Sequence, residues 1–375
     1  MAGLYLHIPF CSKRCLYCDF YSNTDMSLQR DFVSALCKEM EMRKEYLDGE
    51  EIKTIYFGGG TPSQLSAGQI EEVFNFIYRQ FNVAGDAEVT LEANPDDMTV
   101  GYAASLSRLP INRISMGVQS FNDKDLLFLQ RRHTKEQAVR AVSLCKENGI
   151  ENISIDLIYG LPGQTAEEWE GNLSGFLALD IPHLSAYHII YEEGTRLYQQ
   201  KEIGDIHPVD EETSTSMFET LINRLAEAGY QHYEISNFAR PGRLSKHNSS
   251  YWTGEKYLGV GPSAHSYNRE SRQWNVSSIH KYIHGMAENA PQFEIEMLNI
   301  YKRYNDYIIT GLRTMWGIDL FWVLTYFGQG IQKHCIAQAE SYINRGLLVK
   351  TGDKVTLSRD GMFVSDMVMS DLMWV

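Results

Sequence analysis

The chain is poor in cysteine, with six in 375 residues, too few for a disulfide framework at this length. It is also short of positive charge. Lys and Arg number 34 against 48 Asp and Glu, a net charge of −14, so the general basic footprint of a nucleic-acid binder is missing. No window approaches the roughly 18–20 continuous apolar residues of a membrane span, and no transmembrane segment is expected. The opening MAGLYLHIPFCSKRC has no long apolar run behind a basic start, so no secretory signal is expected either. Internal repeats and low-complexity tracts are absent. What is there is an ordinary globular balance, 43% hydrophobic and 22% charged, which can bury a large core and argues against long disorder. At roughly 150 residues per domain the length allows two domains, or one large α/β domain with an appendage. A cytosolic protein is the working expectation.

Short apolar runs alternate with amphipathic stretches over the first 200 residues. Leu4–Ile8, Thr54–Phe57, Glu88–Ala93, Arg113–Val118, Ile153–Ile158 and Leu184–Ile190 read as buried parallel strands. Helical patterns lie between them. In Ser27–Leu47, residues Leu28, Phe32, Ala35, Leu36, Met40 and Leu47 recur at three- and four-residue steps, and Ala67–Gln80, Thr99–Leu109, Lys135–Asn148 and Ala166–Leu179 follow. Ser66 and Thr165 suit N-caps, and Gly149 stands where a helix C-cap is expected. Six such units suggest an α/β fold, a partial TIM barrel, since a full eight-unit barrel takes about 250 residues. An open doubly wound sheet would give the same alternation. In both, ligands gather at the C-terminal strand ends.

The rhythm breaks after residue 200. One more helix is expected at Glu211–Ala228, then a loop-rich stretch with many aromatics and histidines. From about 299 helices and the turn Thr351-Gly352-Asp353 between two short strands suggest a mainly helical, winged-helix-like domain. Its eight basic and seven acidic residues give no support to DNA binding and favour a docking or lid role. The expected boundaries are 1–210 for the barrel core, 211–298 for a connecting segment and 299–375 for the C-terminal domain. Trp316, Phe321, Trp322, Tyr326 and Phe327 are expected in the core of that domain.

Cys37, Cys145 and Cys335 are scattered in helical surroundings, whereas Cys11, Cys15 and Cys18 crowd into eight residues. In a reducing compartment such a cluster points to metal or redox chemistry. Three thiolates suit a cubane iron–sulfur cluster with one iron left open. Zinc is the competing reading, because His7 lies four positions before Cys11 and Cys₃His is a legitimate tetrahedral set. Gly58-Gly59-Gly60 after the second strand lets backbone approach a small polar molecule, although a tight βα turn alone would also explain it. Gly259-Val-Gly261-Pro-Ser-Ala264-His265 imitates a dinucleotide loop but neither follows a convincing strand nor opens a helix, and reads as a turn. His183 and His188 alternate around a strand with Tyr187 and are expected to pack or hydrogen-bond at the barrel mouth.

LHIPFCSKRCLYC followed by YFGGGTPS resembles the radical S-adenosylmethionine (SAM) enzymes, in particular the group around anaerobic coproporphyrinogen III oxidase. The likeness continues through Leu91-Glu92-Ala93-Asn94-Pro95, Ser115–Phe121 and Ile155–Pro162. It implies a six-unit partial barrel with a C-terminal helical domain. It also implies that Cys11, Cys15 and Cys18 hold a [4Fe–4S] cluster whose open iron takes SAM. Tyr5 and Tyr17 match positions near that ligand, and Gly59, Gly60 and Thr61 match the strip beside its methionine end. Glu92, Gln119, Arg131 and Asp156 match polar residues that hold its ribose, its carboxylate or a second ligand, with Arg132 adjoining Arg131 as the alternative register.

Two departures separate the chain from the oxidases. They carry a fourth cysteine two residues after the third, where this sequence has Phe20, and a longer extension before the motif. The segment His247-Asn248-Ser249-Ser250-Tyr251-Trp252 instead resembles the HNxxYW motif of the haem-chaperone branch. Haem iron accepts an imidazole, and tyrosine and tryptophan offer flat apolar area to a porphyrin. This resemblance implies haem as cargo bound with His247, Asn248, Tyr251 and Trp252, and delivered to acceptor hemoproteins, which in the family are respiratory and membrane-associated, so any membrane contact would be peripheral. It leaves no residue assigned to catalysis and makes coproporphyrinogen oxidation unexpected. The rivals are a radical enzyme acting on a porphyrin, by coproporphyrinogen oxidation or by methyl transfer that cleaves haem, and a zinc-stabilised binding module.

Overall fold

In the computed structural model, which describes residues 2–375, all six expected strands form: β1 (Ala2–Ile8), β2 (Ile52–Gly59), β3 (Val83–Ala93), β4 (Arg113–Gln119), β5 (Ile153–Tyr159) and β6 (His183–His188). They pair in parallel in chain order. Alternation divides their two faces. Leu4, Leu6, Ile55, Phe57, Leu91, Ile114, Met116, Ile155 and Leu157 join one aliphatic core with helix residues such as Phe32, Ile70 and Phe176. The residues between them, Tyr5, His7, Thr54, Tyr56, Thr90, Glu92, Arg113, Ser115, Ser154, Asp156, His183 and Ser185, make the opposite face unusually polar. The chain is therefore a partial TIM barrel with an aliphatic outside and a polar lumen.

The helices start where side chains can satisfy their free N–H groups. Ser66 and Thr165 close capping boxes with Gln69 and Glu168, and Thr134 closes a third with Gln137. Gly149 ends its helix at φ +81°, a conformation glycine adopts without cost. The helix expected at Glu211–Ala228 spans Glu211–Glu227.

The stretch expected to be loop-rich is instead built of short elements: β7 (Gln231–Glu234), β8 (Asn237–Ala239), β9 (Lys256–Val260), β10 (His265–Tyr267), β11 (Ser271–Asn275), β12 (Phe293–Met297), and the helices Lys246–Trp252 and Ile279–Ala287. All the strands named so far form one sheet in the order β12-β11-β10-β9-β1-β2-β3-β4-β5-β6-β8-β7. β9 runs parallel beside β1, with Ala2 opposite Lys256 and Leu6 opposite Val260. The run Gly259–His265 thus does follow a strand, but it turns into antiparallel β10 and opens no helix. A buried carboxylate fastens this addition to the barrel. Glu39 accepts from Arg43 Nη1 at 2.9 Å, Gly261 N at 2.8 Å, Asn275 Nδ2 at 2.7 Å and Tyr282 Oη at 2.7 Å.

Beyond residue 299 a second core gathers Tyr304, Ile308, Val323, Cys335, Val355 and Leu372. The helices Ile300–Leu312, Leu320–Phe327, Gln329–Asn344 and Ser365–Leu372 pack with a small sheet of β13 (Ile318–Asp319), β14 (Leu348–Thr351) and β15 (Lys354–Leu357). The expected aromatic core holds only in part. Phe327 is buried and Trp322 stacks on Tyr307 at 4.3 Å, but Phe321 and Tyr326 are 64% and 65% exposed. In so apolar a helix, composition alone could not say which side faces inward.

Candidate functional site

β1 delivers the chain to the C-terminal edge of the barrel, where the cysteine loop begins. The loop is anchored at its centre. Leu16 is buried with Leu129, Ile158, Leu161, Ile189 and Leu197, and its carbonyl accepts from Leu197 N at 3.1 Å. Cys11 Sγ lies 3.3 Å from Thr61 Oγ1, and Cys15 Sγ accepts from Arg131 Nη1 at 3.3 Å. Burial raises the Cys11 thiol and pushes Cys18 up to about 11, so metal binding there must displace protons. Among the described residues no three His, Cys, Asp or Glu groups close on a single ion. His7 is also spoken for: Nδ1 lies 3.2 Å from Tyr5 Oη and Nε2 3.0 Å from the Tyr21 carbonyl. A Cys₃His zinc site would have to break these His7 bonds, whereas a cubane takes its thiolates at separate corners and needs no histidine.

The glycine strip ends β2 directly beneath this loop. A Cβ at Gly60 would lie 2.8 Å from Pro9 C and 2.9 Å from the carbonyl oxygens of Ile8 and Phe10. Gly59 stands at φ +106° against the His7 ring. Gly58 leaves room for Tyr56 and Glu92, and Tyr56 Oη donates to Glu92 Oε1 at 2.7 Å. Glu92 is pushed up to about 7 and Asp156 to about 6, in each case chiefly by burial. Burial likewise raises the Tyr5 and Tyr17 phenols, and Tyr17 lies within electrostatic reach of Arg131, Cys15, Cys18 and Asp156.

Gln119 ends β4 at φ +70°, a conformation of the kind that persists where surrounding structure imposes it. Gly117 clears the space that its amide and Arg131 share. Arg131 Nη2 donates to Asn94 Oδ1 and to the Gly117 carbonyl, each at 2.6 Å, while its Nε is buried without a partner. Arg132 points away, to Asp96 and Asp97 at 2.8 and 3.1 Å. The geometry therefore places Arg131, and not its neighbour, inside.

These residues fit the cofactors that the cysteine motif implies. Cys11 and Cys15 sit against Thr61 and Arg131 with Cys18 within electrostatic reach of both thiols, a glycine strip allows close approach, two buried carboxyls can accept hydroxyls, and a fork-shaped cation keeps its Nε unpartnered. When bound, a [4Fe–4S] cluster with SAM supplies one-electron chemistry. The chain's own part is to place the ligand and exclude water.

The motif His247–Trp252 is a helix rather than a loop, and it docks against the barrel wall. Glu88 accepts from the backbone N–H of Lys246 at 3.0 Å and of His247 at 2.9 Å. His247 is 1% exposed. Its Nδ1 lies 2.8 Å from Thr54 Oγ1 and its Nε2 2.8 Å from Tyr251 Oη. The ring stacks on Tyr56 at 4.9 Å and on Tyr5 at 6.3 Å. Burial, reinforced by Arg113, lowers it to about 3. Asn248 and Trp252 are half-buried on the same helix.

His183 is not at the mouth. It begins β6 at the opposite end and bonds Ser154 Oγ and Tyr233 Oη, each at 2.7 Å. His188 does end the strand, with Nε2 2.9 Å from Ser214 Oγ. Sequence reasoning missed Thr54, Tyr56, Glu88, Asn94 and Arg113. The polar members of strands that otherwise read as apolar were the available signal.

The sequence profile of the Radical SAM superfamily matches residues 5–174. A protein of Lactococcus lactis named Heme chaperone HemW is 36% identical over 95% of this chain and 93% of its own length. Its Bacillus subtilis namesake is 33% identical over 98% of both. Among solved structures, coproporphyrinogen III oxidase (HemN) of Escherichia coli covers 99% of this chain and 90% of its own, with a TM-score of 0.87 at 22% identity. That likeness extends the fold assignment to the C-terminal domain. The near full-length relatives and the superfamily profile establish that the chain belongs to the HemW family of the radical SAM superfamily.

Proposed function

We propose that this protein is a haem chaperone: it binds haem, carries a [4Fe–4S] cluster on Cys11, Cys15 and Cys18 with SAM beside it, and passes haem to acceptor hemoproteins. The observation that carries the reading is the seat of His247. Its ring packs on Tyr5 and Tyr56, and Tyr56 donates to Glu92. The haem motif and the SAM residues thus share one wall of the barrel, so occupancy of one can be felt by the other. Tyr5, Tyr17, Gly59, Gly60, Thr61, Glu92, Gln119, Arg131 and Asp156 take SAM, while His247, Asn248, Tyr251 and Trp252 serve haem. Among the described residues no helix is long and apolar enough to cross a membrane. Respiratory acceptors at the cytoplasmic membrane would therefore be met by peripheral contact or through a partner.

Haem titration of the reconstituted protein, wild type against His247→Ala, tests the reading. Loss of affinity and of transfer to an apo-hemoprotein is expected, and unchanged values would remove His247 from it. A second reading is favoured by the completeness of the SAM residue set, namely a radical enzyme acting on a porphyrin. Incubation with coproporphyrinogen III, SAM and a reductant decides between them, since sustained protoporphyrinogen formation would establish the oxidase.

A further inference from the structure

An axial iron ligand needs a free imidazole nitrogen, and His247 has none, because Thr54 and Tyr251 engage both. Haem can meet it only if Tyr251, or the helix Lys246–Trp252 that carries both residues, moves. The chain is built to allow this. Glycines turn it on either side, Gly242 at φ +77° and Gly254 at φ +69°, with nothing within 4 Å of a Cβ at either. Of the seven helix residues only His247 is buried. Ser249 Oγ and Trp252 Nε1 are shut in without partners, which costs the closed arrangement free energy.

One contact from the C-terminal domain opposes release. Arg313, just after the helix Ile300–Leu312, holds its Cζ 5.1 Å from the Trp252 ring centroid. Its Nε and Nη2 donate to Glu234 Oε1 at 3.1 and 2.8 Å. Glu234 is itself fixed: its side chain is 1% exposed, and it accepts from Ser236 N at 3.1 Å and Asn237 Nδ2 at 2.5 Å. The guanidinium is therefore held by the sheet edge and lies on the indole.

We propose that Arg313 is a positioning residue for the haem motif: clamped by Glu234 and laid on Trp252, it latches the helix closed over His247, and displacing it from the indole frees the imidazole. The inference rests on the haem reading given above. A porphyrin, flat and apolar, competes with the guanidinium for the same aromatic face, so the cargo can open its own latch. Because Arg313 belongs to the C-terminal domain, any acceptor that shifts this domain would shift the latch as well.

The test uses the full chain, with and without reconstituted cluster, as wild type, Arg313→Ala and Arg313→Lys. Diethyl pyrocarbonate labelling of His247 and amide exchange over 246–252 are followed, with the helix Lys135–Glu147 as internal control. Arg313→Ala should speed both at the motif by roughly tenfold, the size of one well-formed cation–π contact, and leave the control helix unchanged. Arg313→Lys, which keeps a cation but loses the fork, should fall between. Unchanged labelling of His247 overturns the latch, as does an acceleration shared equally by the control helix. Haem association is measured in parallel. If it speeds with the labelling, both latch and haem motif stand. If labelling speeds while haem association stays flat, the latch stands and the assignment of haem to His247 fails.

Discussion

Gly60 is the glycine of the strip that is hemmed in by backbone. A methyl group there would meet three backbone atoms of residues 8–10 at 2.8–2.9 Å, and backbone cannot rotate away as a side chain can. Gly60→Ala should therefore shift the strand end that launches Cys11, at a cost of about 1–3 kcal/mol. Two measurements check it: a lower urea midpoint, and a smaller iron content after anaerobic reconstitution. Gly68→Ala is the control, because a Cβ there meets nothing and the position is helical. It should be neutral, or more stable by up to about 1 kcal/mol. Normal iron content in Gly60→Ala would mean that the strip is only a turn. The same contrast explains why the glycine run could be read before the fold was known. Three consecutive glycines after a strand announce close approach, whereas Arg113, alone in an apolar run, announces nothing until the lumen is seen to be polar.

At the scale of elements, legibility follows what stabilises each piece. β1 to β6 and their helices could be read because their own apolar faces and caps specify them. The segment between residues 229 and 298 could not. Its strands are short and its partners remote: β9 exists as a strand because β1, some 250 residues away in sequence, offers an edge. The helix Lys246–Trp252 is of the same kind. Seven residues are below the length at which a helix is stable alone, and this one is held by Ser245 and by the Glu88 carboxylate at its N-terminus. Glu88→Gln keeps the shape but turns one acceptor into a donor facing a backbone N–H. It should cost about 1–3 kcal/mol and speed amide exchange at Lys246 and His247. Full protection of those two amides in the variant would show that the helix is held by packing alone.

For the whole molecule, the polar lumen has a consequence for acid stability. Burial shifts four histidines most strongly: His7 and His133 fall to about 4, His247 to about 3, and His183 lies well below the usual range, while His188, His232 and His265 are lowered as well. As pH drops through 6.5 the unfolded chain gains these protons and the native one does not, so stability is lost. Carboxyls raised by burial act in the opposite sense, Glu92 and Asp156 most strongly and Asp96, Asp125 and Asp306 with them. Glu92 at about 7 and Asp156 at about 6 are protonated in the native state where the unfolded chain has already released them, and below pH 6 they favour folding. Among the most strongly shifted groups the histidines outnumber the carboxyls, so the unfolded state is ahead in protons between pH 6 and 5 and stability falls as pH falls there. The urea midpoint of the cofactor-free chain should accordingly fall as pH is lowered from 6.5 to 5. Glu92→Gln removes one compensating proton and should steepen that fall by about 1.4 kcal/mol per unit. His183→Gln removes one of the four and should flatten it by a similar amount. A midpoint that stays level over this range, or that responds to the two variants in the same direction, would show that the lumen admits water and its charges freely.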